Sequence, residues 1–453
     1  MLVPFDHYRD VLAQWSQSVG NGENANASTI ARMRQQLGED VAHAVISSAQ
    51  LQTKARAKFG EGHWWVSEKS LQQATPWQVA RLKAAWLGNR DVVDLCCGVG
   101  GDTMELARRG RVLGVDQDRI TASMAHANLK QIQATAEPSE ASTASDVCCD
   151  DACRIPIDPK SAVHIDPDRR GSGKRTTDPD EYQPAWTDVL GIVQRQPASI
   201  IKLAPVAAGG PNSSLTATMA SWHRSWISLS GSVREQSLIC GDAIDQADLP
   251  DNGRSAYRVR HDGSWVRFVA HADEVVDLPE QTAQLWKTDT NPGGYMIDPD
   301  ASIRAAGLTI AYANRHGIRL LGKPSGFLTC DDPPKADESA TSTSPPPDDA
   351  NRDSVNGAGA NLAVPNLAVV GQVVWSGSAD DRKLRRELRS RNMYPETIKV
   401  RGTDHDPNML SRRYRSTGDT PVTLWIGRSG GRVYAAITTA WQAAEPLPRA
   451  ASL

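Results

Sequence analysis

The sequence lacks the cysteine pattern and the apolar runs that mark several classes of protein. Its seven cysteines are an odd number, and no C-x-x-C pair occurs. A disulfide framework and a structural zinc site are therefore not predicted. No apolar stretch approaches the roughly 18 residues that cross a membrane, and the N-terminal MLVPFDHYRD has no basic region followed by an apolar run. We expect a soluble, cytoplasmic protein with no metal and no membrane partner.

The chain is long enough for several domains, and its charge is unevenly spread. At 453 residues it has room for two or three hydrophobic cores. The net charge is −3, but residues 382–432 hold 13 Lys and Arg against 5 Asp and Glu. This balance of +8 leaves −11 for the rest of the chain. Such a region favours a polyanion as partner, and the alternative is a solvated basic helix face.

A glycine-rich turn between two expected strands is the most informative pattern that the chain contains. Val92–Asp102 reads VVDLCCGVGGD, and a second apolar run, VLGVD, ends at Asp116. A buried strand, a turn with Gly98, Gly100 and Gly101, a helix and a second strand form the cradle of a nucleotide-type cofactor. The glycines let backbone N–H groups approach the ligand, and Asp116 is placed to accept hydrogen bonds from ribose hydroxyls.

Two classes of cofactor use this cradle, and an acid in the first strand favours one of them. A dinucleotide site has G-x-G-x-x-G, but here the third position is Thr103. Asp94 would repel a pyrophosphate, whereas it suits the cationic amino-acid end of S-adenosylmethionine, reached directly or through water. The sequence therefore predicts S-adenosylmethionine, bound by Asp94, Asp116 and the three glycines.

Composition shifts divide the chain into four parts. Residues 1–87 form an N-terminal helical segment, in which Thr75 and Pro76 are the expected N-cap and first residue of a helix. Residues 88–245 alternate short apolar runs with helical patterns, as in a doubly wound α/β domain. Residues 246–330 with 363–445 form a smaller α+β domain. Residues 331–362 are an expected disordered insertion, because they have too few apolar side chains to offset the entropy of ordering.

Individual elements are expected at distinct apolar runs. In the α/β domain the expected strands are VVDLC, VLGVD, AVHID, SIIKLA and SVREQSLIC. In the α+β domain we expect strands within Tyr257–Val269 and one helix over Ile303–His316. After the insertion, strands at VVGQVVWSG and TLWIGRSGGRVYAAIT flank a basic helix, DDRKLRRELRSRN.

A second motif, DPDRRGSGKR, begins at Asp166 directly after the strand AVHI. In class I methyltransferases the end of the fourth strand faces the transferred methyl group, so Asp166 and Pro167 are the predicted catalytic residues. Methyl transfer from a sulfonium depends more on alignment than on strong base catalysis. Arg169 and Arg170 follow on a loop placed to bind substrate phosphate. The alternative is an ordinary acidic strand end with a charged surface loop.

Five more residues have open roles. Asp151, after the expected third strand, is predicted to accept a hydrogen bond from the adenine amino group, with Asp150 as the competing choice. No cysteine follows the fifth strand, so a thiolate nucleophile is not predicted there. His164 lies in an apolar strand and is read as a packed core histidine. Trp64 and Trp65 either stack on a base or pack in a core.

These motifs resemble a bacterial family of class I S-adenosylmethionine-dependent methyltransferases with a C-terminal THUMP-like domain. The resemblance covers most of the chain and is carried by LQQATPWQVARLKAAWL, DLCCGVGGDTMELA, VLGVDQD, HIDPDRR, IIKLAP, GGYMIDPDASIRAAGL, GFLT and IKVRGTDHDPNMLSRRYRSTGD. The family's motifs map onto Asp94, Gly98, Gly100, Gly101, Asp116, Asp166, Pro167, Arg169 and Arg170. The resemblance implies a Rossmann-like methyltransferase domain that acts on RNA, with the THUMP-like part holding the RNA.

The segments TPWQVARL and CCGVGGDT also look similar to trimethylguanosine synthases, the RNA cap guanine-N2 methyltransferases. Those enzymes end the fourth strand with Pro-Pro-Trp, whereas Asp168 and Arg169 follow Pro167 here, so cap-like specificity is not expected. Two alternatives remain, a small-molecule methyltransferase and a non-catalytic RNA-binding protein with a relict cofactor fold. The residues expected to contact RNA phosphates are Arg385, Arg386, Arg389, Arg412 and Arg413.

Overall fold

The computed structural model describes residues 2–20, 26–135, 144–169, 176–207, 222–276, 288–334 and 366–441. The chain divides into two compact units. Unit 1 comprises Met1–Leu229, Glu235–Asn252 and Val259–Ser264, and unit 2 comprises Ser230–Arg234, Gly253–Arg258 and Trp265–Leu453. Most of the expected insertion at 331–362 lies outside the described residues, as does Arg170.

Helices dominate the N-terminal part of unit 1, as the apolar spacing indicated. They are α1 (Arg9–Gly20), α2 (Ala27–Leu37), α3 (Glu39–Phe59), α4 (Glu68–Gln73) and α5 (Trp77–Leu87). Trp64 and Trp65, between α3 and α4, are at most 1% exposed. Trp65 stacks on Phe5 with ring centroids 5.0 Å apart. The tryptophan pair therefore packs the core, and its burial rules out stacking on a base.

The sheet of unit 1 follows the doubly wound pattern. Its strands are β1 (Val92–Leu95), β2 (Val112–Asp116), β3 (Asp146–Cys149), β4 (Ala162–Ile165), β5 (Ala198–Leu203), β6 (His223–Leu229) and β7 (Ser232–Gly241). They are seven consecutive strands of a nine-stranded sheet, in the order β3-β2-β1-β4-β5-β7-β6. Strands β1 to β5 pair in parallel, and β7 runs antiparallel to β5. The five expected strands are confirmed, and the chain order reverses between β1 and β4, where such folds bind ligands.

The helices between these strands are α6 (Gly101–Leu106), α7 (Arg119–Thr135) and α8 (Trp186–Val193), and α9 (Asp242–Gln246) follows β7. Strands β1 and β4 are buried along their full length. Buried parallel strands are covered on both faces, which explains why these segments read as continuous apolar runs.

Unit 2 contains a second sheet with helices against it. After β8 (Arg254–Val259) and β9 (Trp265–Ala270) come β10 (Thr288–Asp289), β11 (Tyr295–Pro299), β12 (Arg319–Leu321), β13 (Phe327–Cys330), β14 (Ala368–Ser378), β15 (Met393–Val400), β16 (Thr420–Ser429) and β17 (Arg432–Ala440). The last eight lie in the order β10-β12-β13-β11-β14-β17-β16-β15. The helices are α10 (Ala301–Ala305), α11 (Thr309–His316), α12 (Asp381–Ser390) and α13 (Pro407–Tyr414). This arrangement is α+β, and none of the helices in the described ranges is long and apolar enough to span a membrane.

Two local predictions were wrong. The single helix expected over Ile303–His316 is divided into α10 and α11, because Gly307 between them has a φ of +70° that ends the first helix. The helix expected to begin at Pro76 begins at Trp77, with Pro76 itself as the N-cap. Thr75 does not cap it, because its hydroxyl takes part in buried contacts described below.

The packing of α6 yields a stability prediction. A Cβ atom on Gly101 would come within 2.9 Å of the Thr75 carbonyl oxygen and 3.0 Å of its backbone nitrogen. Because backbone atoms cannot move aside alone, we expect Gly101→Ala to lower the free energy of unfolding by about 1 to 3 kcal/mol. In α8, Gly191 has nothing within 4 Å of an added Cβ, so Gly191→Ala should be neutral or stabilising by up to about 1 kcal/mol. Equal urea-unfolding curves for the two variants would contradict this packing role.

Candidate active site

The residues that follow β2, β1 and β4 lie side by side at one edge of the sheet. Leu95 in β1 pairs with Val115 in β2 on one side and with Ile165 in β4 on the other. The next residue of β2 is Asp116, and the first residue after β4 is Asp166. The predicted ribose acid and the predicted catalytic acid therefore flank the glycine turn at the point where the strand order reverses.

The turn after β1 has an unusual backbone conformation that is fixed by Asp116. Cys96, Gly98 and Gly100 have φ angles of +57°, +57° and +86°. Such an angle is uncommon for a cysteine, and strain of this kind collects at functional sites. The Gly98 amide donates to Asp116 Oδ2 at 3.0 Å, and the Asp118 amide donates to Oδ1 at 2.9 Å. Burial raises the pKa of Asp116 above its ordinary value.

Asp151 and Asp150 follow β3 on the far side of Asp116. The Asp150 amide donates to the Asp116 carbonyl oxygen at 3.2 Å. Asp151 Oδ1 accepts from the Cys153 amide at 2.9 Å, and Asp151 Oδ2 lies 3.4 Å from Arg154 Nε. Both acids are therefore near the predicted ribose acid, and Asp151 is the less exposed of the two.

Asp94 is held inside the fold. Its side chain is 0% exposed. Thr103 Oγ1 donates to Asp94 Oδ2 at 2.5 Å, and His164 Nδ1 lies 2.7 Å from Asp94 Oδ1. Both carboxylate oxygens thus have partners within the protein, and Thr103, which breaks the dinucleotide motif, is one of them.

His164 is buried as expected, but its two polar partners were not anticipated. Its Nε2 atom lies 3.2 Å from Lys83 Nζ. Because an ammonium group only donates, Nε2 must accept, and the ring proton is on Nδ1 toward Asp94. In this geometry His164 is neutral and joins Asp94 to Lys83.

Lys83, on α5, is the centre of a buried cluster of charges. Besides His164 Nε2, its Nζ atom lies 2.8 Å from Asp102 Oδ1 and 2.9 Å from Glu235 Oε1, and the side chain is 1% exposed. Burial by itself lowers the pKa of Lys83, but Asp102 and Glu235 raise it above its ordinary value. Burial raises the pKa of Asp102, but Lys83 holds it well below its ordinary value. The pair is therefore charged at neutral pH, and it stabilises the fold fully between the ordinary pKa values of 3.8 and 10.5.

Lys202, in β5, extends these contacts to the predicted catalytic acid. Its Nζ atom donates to Asp166 Oδ2 at 2.6 Å and to Thr75 Oγ1 at 3.0 Å, and it lies 3.9 Å from Glu235 Oε2. Thr75 Oγ1 donates in turn to Asp102 Oδ2 at 2.7 Å. We call the connected ionisable groups the buried ion network: Lys83, Asp94, Asp102, His164, Lys202 and Glu235, which are buried, and Asp166, which is partly exposed.

The buried ion network carries an excess of negative charge. Counted formally as four carboxylates, two ammonium groups and a neutral His164, its net charge is −2. Sequence reasoning missed Lys83, Asp102 and Glu235. A signal was present for two of them, because Lys83 and Glu235 interrupt the apolar patterns WQVARLKAAWL and SVREQSLIC at positions that pack inward.

The segment after β4 contains the other predicted substrate residues. Pro167 is buried next to the half-exposed Asp166. Arg169 Nη1 is buried and has no hydrogen-bond partner in the described part of the chain. An unmet buried donor of this kind costs about 1 to 3 kcal/mol unless a ligand satisfies it.

The five arginines predicted to contact RNA lie in unit 2, on α12 and α13, and they differ in how they are engaged. Arg385 and Arg413 both contact Asp381, at 3.1 and 3.2 Å. Arg386 lies 3.2 Å from a Glu387 oxygen. Arg389 and Arg412 are exposed, and no acid lies within ion-pair distance of either one among the residues described.

Comparisons with known proteins agree with this architecture. No protein-family model matches the chain. A curated Mycobacterium tuberculosis protein, an "uncharacterized S-adenosylmethionine-dependent methyltransferase", is 27% identical over 411 residues, which span 88% of this chain and 96% of the relative. The crystal structure of a "putative methyltransferase" from Porphyromonas gingivalis W83 covers 98% of this chain and 100% of its own, with a TM-score of 0.65 and 15% identity. The chain therefore shares the fold of the Porphyromonas gingivalis protein.

The central position of Lys83 yields a second stability prediction. Lys83→Met removes the cation that neutralises Asp102 and Glu235, so we expect a loss of about 3 to 5 kcal/mol in the free energy of unfolding at pH 7. Lys69 is exposed on α4, and Lys69→Met should change stability by less than about 0.5 kcal/mol. Chemical unfolding measures the change in the free energy of unfolding for both variants. If Lys83→Met changes it as little as Lys69→Met does, Lys83 is not the centre of the network.

Proposed function

We propose that the chain is an S-adenosylmethionine-dependent methyltransferase that modifies a structured RNA, such as a tRNA or rRNA base. The observation that carries the methyltransferase assignment is the placement of Asp116 and the positive-φ turn beside a buried ion network of net charge −2. The Mycobacterium tuberculosis relative, by its name, and the Porphyromonas gingivalis structure, by its fold, support S-adenosylmethionine as the cofactor.

Charge distinguishes the two cofactor classes that use this type of cradle. S-adenosylmethionine has a sulfonium, an ammonium and a carboxylate group and is positive overall, whereas a dinucleotide has a pyrophosphate with two negative charges. An excess of negative charge beside the cradle attracts the first and repels the second. Asp94 contributes to this field although its oxygens already have protein partners, so we propose that it acts on the cofactor mainly through its charge.

The acids along the strand ends fit the remaining parts of the cofactor. Each Asp116 oxygen accepts one protein N–H, which leaves one lone pair on each for the two ribose hydroxyls. Asp151, or Asp150 beside it, accepts from the adenine amino group. Gly98 and Gly100 keep the turn free of side chains, whereas Gly101 serves mainly the packing of α6 against Thr75.

Asp166 is proposed to align the methyl acceptor. Lys202 Nζ holds Asp166 Oδ2 at 2.6 Å, and the Asp166 side chain remains 28% exposed. The rigid Pro167 follows, which limits the conformations of this strand end. A positioned carboxylate that accepts a hydrogen bond from the acceptor group orients it toward the sulfonium methyl. Lys202 acts through Asp166 and is a positioning residue.

An RNA substrate is supported by three features. Residues 382–432 have a charge balance of +8. Arg389 and Arg412 are exposed on the two basic helices of unit 2. Arg169, directly beyond the acceptor-aligning segment, has a buried donor without a protein partner. We propose that Arg169 and Arg170 bind phosphate near the reacting base, and that the helix arginines and the THUMP-like part of unit 2 hold the remaining RNA.

Cofactor binding is tested by Asp116→Ala. We expect a loss of about 1 to 3 kcal/mol in the binding free energy of S-adenosylmethionine, because charged hydrogen bonds to the ligand are removed. Asp146 is exposed at the beginning of β3, at the opposite end of the strand from the candidate site. Asp146→Ala should therefore leave the affinity for S-adenosylmethionine unchanged. Calorimetry that detects NAD but neither S-adenosylmethionine nor its demethylated product would contradict the cofactor assignment.

Catalysis is tested by Asp166→Ala. Loss of the aligning contact should reduce methyl transfer on the order of 100-fold, with cofactor affinity nearly unchanged. The measurement is incorporation of labelled methyl from S-adenosylmethionine into total RNA from cells that lack the gene, with the exposed Asp188→Ala as control. Wild-type transfer by the Asp166 variant would refute the catalytic role. Label that enters only small molecules would refute the RNA substrate.

RNA binding is tested by the double substitution of Arg412 and Arg413 with Ala. Phosphate contacts release counterions, so RNA affinity should fall with salt, at a slope near −0.7 per contact for single strands. The double variant should bind RNA more weakly across sequences and reduce this slope by roughly 1 to 2 units. Filter binding over a salt series gives both quantities. RNA binding by the intact chain that is absent or independent of salt would overturn this part of the proposal.

A further inference from the structure

In unit 2, three cations surround a single buried carboxylate. Asp298, in β11, has a side chain that is only 7% exposed. Arg304 Nη1 donates to its Oδ1 at 2.8 Å, Lys399 Nζ donates to its Oδ2 at 2.9 Å, and Arg401 Nη2 donates to Oδ1 at 3.4 Å. One acid thus gathers side chains from α10, from β15 and from the residue that follows β15.

The three cations carry more positive charge than is required to neutralise Asp298. One cation neutralises Asp298, so two positive charges are left over. Among the residues described, Asp300 is the other acid that acts on Arg304, and its Oδ1 accepts from the Ser302 amide at 2.9 Å and the Ser302 hydroxyl at 2.7 Å. Even with Asp300 included, the group is positive by one charge.

Buried aromatic rings lie against two of the cations, which remain partly exposed to solvent. Lys399 Nζ lies 5.6 Å from the centre of the Trp425 ring, and the Arg401 guanidinium lies 5.8 Å from that of Phe327. Both rings are fully buried. The side chains of Lys399 and Arg401 remain 21% and 33% exposed. The rings and Asp298 therefore order the cations on a surface that solvent and solutes reach.

One donor in the group has no partner. Arg401 Nε is buried and makes no hydrogen bond within the ranges that the structure covers. Leaving a buried donor without a hydrogen bond costs about 1 to 3 kcal/mol. A ligand that accepts hydrogen bonds recovers this free energy if the Arg401 guanidinium reorients and donates to it. Arginine presents its N–H groups as a planar fork that matches the oxygens of a phosphate.

Three sequence segments that the proposed methyl transfer does not use meet at this place. Asp298 and Arg304 belong to GGYMIDPDASIRAAGL, Phe327 to GFLT, and Lys399 and Arg401 to IKVRGTDHD. We propose that Arg304, Lys399 and Arg401 form a binding site for a phosphate group, as carried by a nucleic-acid backbone or by free phosphate, with Asp298 holding the cations in place. The site lies within unit 2, and a nucleic-acid backbone as its ligand rests on the proposed RNA substrate, to which the site adds the residues that bind phosphate.

The test compares two double variants of the full chain. Lys399→Gln with Arg401→Gln removes two cations from the site while preserving much of their length. Lys69→Gln with Arg32→Gln removes the same charges from two exposed positions of unit 1, outside the basic region 382–432. One probe is inorganic phosphate, followed by phosphorus NMR, and the other is a single-stranded RNA oligonucleotide, followed by filter binding over a salt series.

We expect the site variant to lose at least about tenfold in affinity for whichever probe the intact chain binds, and the control to stay within about twofold. For the oligonucleotide, the salt slope should fall by roughly 0.7 for each lost contact. A loss confined to the oligonucleotide identifies a nucleic-acid backbone as the source of the phosphate, and a loss for both probes shows that the free group suffices. No binding of either probe, or equal losses in both variants, would overturn the site.

Two further measurements separate this result from other failures. Calorimetry with S-adenosylmethionine tests cofactor binding by unit 1 separately. A negative result there would contradict the cofactor assignment and leave the phosphate site untouched. If the double variant does not fold, Arg401→Gln alone leaves Asp298 with its two shorter ion pairs and should still weaken binding at least about threefold. Lys399→Arg, which keeps the charge, should bind as the intact chain does, and a comparable loss in this variant would contradict the proposal.

Discussion

The fold of unit 1 depends on one buried ammonium group. Lys83 places its Nζ atom within 3.2 Å of acceptor atoms on His164, Asp102 and Glu235, which come from β4, α6 and β7. A charge removed from water in this way is tolerated only when its partners are well placed. The same group fixes the tautomer of His164, and His164 in turn holds Asp94 behind the glycine turn. The helical segment, the sheet and the candidate site thus share one electrostatic constraint.

The features that local patterns determine were predictable. The parallel strands read as apolar runs, the glycine turn was found from its spacing, and Asp116 and Asp166 were placed at strand ends that the structure brings to one edge. The basic helix was found in the same way and forms α12. Each of these inferences needed only residues that are close together in the sequence, together with the rule that parallel strands end at the same edge.

The contacts between distant segments were not predictable from such patterns. Lys83 and Glu235 are about 150 positions apart, and nothing local to either one reveals its partner. Thr75 has the character of an N-cap, but its hydroxyl is bound between Lys202 and Asp102 instead. In unit 2, Asp298 and Lys399 are likewise joined across about 100 positions. Pairing of buried charges is a property of the assembled fold, since each partner is stable there only because of the other.

The central claim is that the strand ends around Asp116 bind S-adenosylmethionine beside a negatively charged core. The most direct measurement is a crystal structure of the chain grown with S-adenosylhomocysteine. The account predicts ribose hydroxyls about 3 Å from both Asp116 oxygens, the methionyl ammonium at the Cys96–Gly98 turn, and Asp166 beside the sulfur with Lys202 still bound to it. Density for the ligand away from this edge, or a ribose that makes no contact with Asp116, would contradict it.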